Sequence, residues 1–141
     1  MKSLVAYFSQ NGHTERAAKE IAEATGADLY RIEPVNPYAP ADVNGEPTSR
    51  AAKEQADPAC RPAIVKDLPD PTGYDAIYLG FPIWAFMPPK VIYTFLDTYG
   101  FKGRPVFPFA TSYESGIQLA EQALHTAYPD IDWQPGARLE M

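Results

Sequence analysis

Between Lys2 and Ile32 the hydrophobic pattern changes period twice, and this constrains the fold more than any other feature of the chain. Lys2 to Tyr7 is a short apolar run containing Val5 and Tyr7, which suits a strand buried on both faces. From Thr14 the spacing becomes helical. Ala17, Ala18, Ile21, Ala22 and Thr25 share one face, while Glu15, Arg16, Lys19, Glu20 and Glu23 occupy the others. Gly26 stands where a helix commonly stops, and Asp28 to Ile32 reads as a second strand. Strand, helix and strand within about 30 residues form one βαβ unit, whose parallel strands are joined by a right-handed crossover.

The alternation returns later. Asp75 to Gly80 reads as a third strand, Phe81 to Pro88 as a loop, and Pro89 opens a helix in which Val91, Ile92, Phe95, Leu96 and Tyr99 share one face. Pro105 to Ala110 reads as a fourth strand, Thr111 to Ser115 as a loop and Gly116 to Ala127 as a helix. A weak fifth strand lies between Ile131 and Leu139, broken by Pro135 and Gly136. Between these halves, Pro34 to Pro71 carries eight of the fifteen prolines, so no long regular element runs through it. A helix from about Thr48 to Ala56 fits there, and the remainder reads as extended chain long enough to cover something. The reading is a single α/β domain over residues 1–141, an open parallel five-stranded sheet with helices on both faces.

Composition narrows the function. A net charge of −6 argues against a nucleic-acid partner, and it suits either solubility alone or the steering of a basic redox partner. No apolar run reaches the ~18 residues that span a bilayer, the N-terminus lacks a signal-peptide pattern, and Cys60 is the one cysteine, so a cytoplasmic location with no membrane partner is expected. Two histidines without a cysteine or acidic pattern make no zinc site, so no metal is expected. Ser9 and His13 share one loop without an orienting acid, which makes a poor nucleophilic triad, so no catalytic residue is assigned.

In an open parallel sheet, ligands bind beyond the carboxyl ends of the strands, where strand order reverses. Three loops meet there. Ser9, Gln10, Asn11, Gly12, His13 and Thr14 bring hydroxyls, amides and main-chain donors to a helix start, which fits either a phosphate or a simple cap. Pro82, Ile83, Trp84, Ala85 and Phe86, followed by Met87, Pro88 and Pro89, are uncharged and restrained by proline. They fit a flat heteroaromatic ring stacked on Trp84 or Phe86, a hydrophobic plug, or a dimer contact. Thr111, Ser112, Tyr113, Glu114, Ser115 and Gly116 suit the polar edge of such a ring, or a helix cap at Ser115. One phosphorylated planar ligand would use all three.

Leu4 to Thr14, Gly80 to Trp84 and Pro108 to Ser112, in this order over nearly the whole chain, resemble the flavodoxin family, especially its short bacterial branch. The resemblance implies strand order 2-1-3-4-5 with flavin mononucleotide (FMN) at the junction of the first and third strands, flavodoxin itself being a known instance of this binding rule. It implies that Ser9 to Thr14 cradle the phosphate, that Pro82 to Phe86 flank the ring, and that Thr111 to Gly116 reach its pyrimidine side. It implies an FMN-dependent redox protein, either an electron carrier or a small reductase of the NAD(P)H or quinone type; the alternative is a flavin-free interaction domain on the same fold. Ala85 and Phe86 stand where many relatives have glycine. Glu114 near the ring would disfavour an anionic reduced flavin and so lower its potential. Flavodoxins commonly end with a helix beside the first one, and nothing after Leu139 supplies it. The expectation is therefore a homodimer over that face, or its coverage by the proline-rich segment.

Overall fold

The computed structural model describes residues 2–112 and 115–140, so Tyr113 and Glu114 of the third loop lie outside the described residues. Four main strands arise where the apolar runs predicted them: β1 (Ser3–Tyr7), β2 (Asp28–Arg31), β3 (Ala76–Pro82) and β4 (Pro105–Ser112). They pair in parallel with order β2-β1-β3-β4, and the far edge of β4 is taken by two short pieces, β5 (Asp132–Trp133) and β6 (Ala137–Glu140). The order 2-1-3-4-5 is thus the one expected. The fifth strand is split at Pro135 and Gly136, beside Pro108; neither proline has an N–H to donate, and the last bond before the break runs from the Gln134 N–H to the Val106 carbonyl.

Four α-helices connect the strands: α1 (His13–Thr25), α2 (Arg50–Ala56), α3 (Lys90–Tyr99) and α4 (Gln118–Ala127). On one face of the sheet, Leu4, Ala6, Ile77, Leu79, Phe81, Val106 and Ala110 pack against Val91, Ile92, Phe95 and Leu96 of α3 and Ala120 and Leu124 of α4. The proline-rich segment closes the same face through Tyr38, Ile64 and Leu68, with Tyr74 following just after it. On the other face, Val5, Tyr7 and Phe109 meet Ala17 and Ala18 of α1. The proline-rich segment therefore does not cover the α1 face, contrary to one of the two sequence expectations. Its long apolar side chains find a larger core on the α3 side. Among the described residues α1 is the one helix on its face, and Tyr78 and Phe107 stack there, partly buried, with ring centres 5.0 Å apart. None of the described helices is long and apolar enough to cross a membrane.

Two boundaries differ from the sequence reading in a way that matters for the site. Phe81 and Pro82 continue β3, in register with Ala110 and Thr111, and Thr111 and Ser112 are the last residues of β4 rather than a loop. Polar strand ends survive burial here because their hydroxyls find partners, as described below.

Gly80 makes room on the α1 face. A Cβ at this position would overlap the Phe109 ring, which is itself buried against Val5, Tyr7, Ala17 and Ala18 and cannot swing away. Gly80→Ala should therefore lower unfolding free energy by about 2 kcal/mol through overpacking, read as a lower urea midpoint at unchanged m. The double variant Gly80→Ala/Phe109→Leu should recover part of the loss. An unchanged midpoint in the single variant would contradict this packing.

Candidate functional site

The chain leaves β1 towards α1 on one face and leaves β3 towards α3 on the other. A crevice opens between these two exits, at the carboxyl end of the sheet. It holds a cavity of about 400 Å³ lined by Gln10, Asn11, His13 and Thr14, by Pro82, Ile83 and Trp84, and by Thr111, Ser112 and Ser115. All three loops singled out in the sequence contribute to it.

The first wall is built by the turn into α1. Gly12 is its N-cap at φ +88°, a left-handed conformation that favours glycine, and among the described residues no side chain caps the helix. The first N–H groups of α1 are therefore left without helical partners, carrying the positive end of the helix dipole. The turn is held from behind. Ser9 Oγ accepts from the Gly12 N–H at 3.1 Å, and Gln10 Nε2 donates to the Tyr38 carbonyl at 3.1 Å. Arg31, at the end of β2, donates Nη2 to the Ser9 carbonyl at 3.1 Å and Nη1 to Glu15. Hydrogen bonding from Lys19, with Arg31 close by, holds the Glu15 carboxyl below the usual carboxylate range. Burial, reinforced by Glu15, pushes the Tyr7 hydroxyl up.

The second wall is an indole held on edge. Trp84 meets Phe8 at 5.5 Å and 88° and Tyr38 at 5.2 Å and 79°, edge-to-face pairs worth about 1 kcal/mol each beyond burial. Arg50 lies over the outer Tyr38 ring at 3.9 Å. Trp84 and Met87 exchange both backbone hydrogen bonds, at 2.9 and 3.0 Å, around a two-residue tip of Ala85 and Phe86. Both tip residues have positive φ, 51° and 68°, which costs about 1 kcal/mol each without glycine. Gln55 of α2 keeps the turn in place, donating Nε2 to the Trp84 carbonyl at 3.1 Å and to the Pro88 carbonyl at 3.0 Å. The proline-rich segment thus does cover something: it braces the aromatic wall.

The third wall is a cluster of buried hydroxyls. Thr14 and Thr111 hydroxyls lie 2.7 Å apart and tie the α1 start to the end of β4 across the crevice. Ser112 donates its hydroxyl proton to the Ser115 carbonyl. Arg138 of β6 donates to Ser112, Nε to the hydroxyl at 3.0 Å and Nη2 to the carbonyl at 3.3 Å. Ser9, Thr14, Thr111 and Ser112 are all at least nine-tenths buried, which concentrates paired polar groups at this one end of the sheet.

Not every residue marked in the sequence reaches the cavity. Ser9 stands behind the wall as a hydrogen-bond acceptor, and Gly12 contributes backbone conformation. Ala85 faces a neighbouring cavity, and Phe86 projects outward, 59% exposed, because the bridged turn places it at the tip. Trp84, not Phe86, is therefore the aromatic surface lining the cavity. Gly116 is exposed. Tyr38, Gln55, Arg31 and Arg138 support the walls from distant positions that local composition does not mark. The nearest signal was the unusual length of the proline-rich connection, which pointed to Tyr38 and Gln55 only collectively.

The walls fit a phosphorylated flavin: uncapped N–H donors for an anion, a fixed flat ring for a heterocycle, and hydroxyls for its polar edge. Comparisons with known proteins agree. The flavodoxin family model matches residues 2–141. The crystal structure of a candidate flavoprotein from Bacteroides eggerthii DSM 20697 superposes with a TM-score of 0.95 at 42% identity, covering 98% of this chain and 87% of that one. Its counterpart from Bacteroides uniformis ATCC 8492 superposes with a TM-score of 0.95 at 45% identity, covering 99% and 90%. A flavoprotein from Lactobacillus acidophilus NCFM, solved in complex with FMN, shares the fold with a TM-score of 0.78 at 22% identity, covering 97% and 92%. A search of curated proteins returns no match. With the family model spanning nearly every residue and the expected strand order in place, the chain belongs to the flavodoxin family.

Proposed function

We propose that this protein holds FMN non-covalently in the crevice between β1 and β3 and works as a redox protein through it. The convergence of an uncapped helix start, a braced indole and buried hydroxyls on one cavity carries this reading. Gln10 to Thr14 hold the phosphate, Pro82, Ile83 and Trp84 flank the ring, and Thr111, Ser112 and Ser115 face its pyrimidine side. The FMN in the Lactobacillus acidophilus structure supports this choice of flavin. When bound, FMN supplies electron and hydride chemistry, and the chain supplies binding, orientation and electrostatics. No side chain is assigned as catalytic.

Between the two activities, small size and a net charge of −6 favour an electron carrier meeting a basic protein partner. A second cavity of about 360 Å³, which shares Ile83 and Trp84 with the first and is otherwise lined largely by apolar side chains, favours a reductase with a small acceptor. Anaerobic stopped-flow mixing with NAD(P)H separates them: a carrier's flavin stays oxidised, and a reductase's bleaches rapidly. The partly buried pair Tyr78 and Phe107, on a face with one helix among the described residues, supports a homodimer closed over the α1 face. Sedimentation velocity should then show a dimer that Tyr78→Glu converts to monomer, and a wild-type monomer would remove that part of the reading.

The phosphate cradle has a direct test in the comparison of FMN with riboflavin, which lacks the phosphate. Wild type should quench and bind FMN about 100-fold more tightly, the equivalent of about 2.7 kcal/mol, as two charge-assisted hydrogen bonds supply. Gly12→Val, forced into a left-handed backbone, should cut that preference below about tenfold. Equal wild-type affinity for both flavins would contradict the cradle. A colourless protein that binds neither would favour the flavin-free interaction domain.

A further inference from the structure

We propose that Arg31 lets the first wall of the crevice accept a doubly charged phosphate, by cancelling the carboxylate of Glu15 that stands beside it; this rests on the FMN reading above. None of the described residues lining the cavity is Lys, Arg, Asp or Glu, so no fixed charge faces the phosphate. That group has a second pKa of about 6 and carries a charge of about −1.5 to −2 at neutral pH. Glu15 follows Thr14, which lines the cavity, and lies in the first turn of α1. A carboxylate there occupies the same positive helix end that would attract the phosphate, and the two anions repel. Glu15 is ionised at neutral pH, because hydrogen bonding from Lys19, with Arg31 close by, holds its carboxyl below the usual range.

What cancels Glu15 comes from outside the phosphate loop. Arg31, the last residue of β2, donates Nη1 to Glu15, while its Nε lies 3.5 Å from Glu33. Its guanidinium packs over the Tyr7 ring at 5.9 Å, and the Tyr7 hydroxyl donates to the same Glu15 oxygen at 3.3 Å. Lys19 reaches the other oxygen at 3.3 Å, but from an exposed position one helical turn on, where solvent screens the pair. Glu15, Glu33, Lys19 and Arg31 together are neutral. Without Arg31 the cluster would carry one net negative charge beside the cradle. Arg31 thus acts through Glu15 rather than by touching the phosphate. It also donates Nη2 to the Ser9 carbonyl, and Ser9 in turn accepts from Gly12, so loss of Arg31 removes support as well as charge.

Changing both partners separates the two effects. Dissociation constants for FMN and for riboflavin are measured by fluorescence quenching for wild type, Glu15→Gln, Arg31→Gln and the double variant. Arg31→Gln should reduce the preference for FMN over riboflavin about tenfold, while riboflavin affinity stays within about threefold of wild type. Adding Glu15→Gln returns the cluster to neutrality, since Lys19 and Glu33 remain, and should restore the preference to within about threefold of wild type. Glu15→Gln alone keeps Arg31 and should leave the preference at or above the wild-type value. Arg16, whose Nη2 lies 3.4 Å from His13 Nδ1 at the cavity, is present in every variant and cancels from the comparison. If the double variant discriminates as poorly as Arg31→Gln, the lost support of Ser9 explains the effect and the proposal is overturned. The same follows if Arg31→Gln keeps the wild-type preference, or if Glu15→Gln alone lowers it. Failure of the wild-type protein to bind FMN, or equal binding of the two flavins, would instead overturn the FMN reading itself.

Discussion

β1 and β3 are hydrogen-bonded neighbours, yet the chain leaves their carboxyl ends towards opposite faces of the sheet. No connection can then cross directly above the pair, and a crevice opens there. Everything at the site is arranged around that divergence. The α1 start, with no side chain capping it among the described residues, lines the crevice from one side, and the β3 exit raises Trp84 on the other. The hydroxyl bond between Thr14 and Thr111 ties the α1 start to the end of β4. In energetic terms this is preorganisation: the groups that would meet a ligand are already held by other groups of the protein, so little ordering remains for binding.

The proline-rich connection is part of the same construction. Its backbone makes few regular elements, but it packs Tyr38 against both Phe8 and Trp84 and aims Gln55 at both ends of the Trp84–Pro88 turn. That brace explains how Ala85 and Phe86 persist at positive φ, where glycine is the usual solution. The strain of the tip is offset by two backbone hydrogen bonds, two amide hydrogen bonds and two aromatic edges. It also leaves the Gln55 side-chain amide oxygen, Oε1, buried with no hydrogen-bond partner among the described residues.

Much of this was legible in the sequence, for local reasons. Ala17, Ala18, Ile21 and Ala22 announce α1 by spacing alone, and Val5, Ile77, Leu79 and Val106 announce buried strands. The site loops stood out because glycine, hydroxyl and proline chemistry is concentrated where an apolar run ends. What escaped was set by pairing between distant segments. Thr111 and Ser112 read as loop because hydroxyl side chains seldom end a buried strand, and only the partners Thr14, Ser115 and Arg138 make it possible. Arg31 and Arg138 drew no assignment from the sequence, since nothing near either shows that it turns back to the carbonyl of Ser9 or Ser112. Coverage of the α1 face by the proline-rich segment, one of the two expectations, failed for a similar reason: Ile64 and Leu68 are drawn to the deeper core beside α3.

The most direct measurement of the central claim is a crystal structure of the protein grown with saturating FMN. The account predicts the phosphate at the N–H groups that open α1, the ring against Trp84, and its pyrimidine edge at the Thr111–Ser115 end of β4. A flavin bound elsewhere, or a crevice that collapses onto its own side chains and admits none, would contradict it.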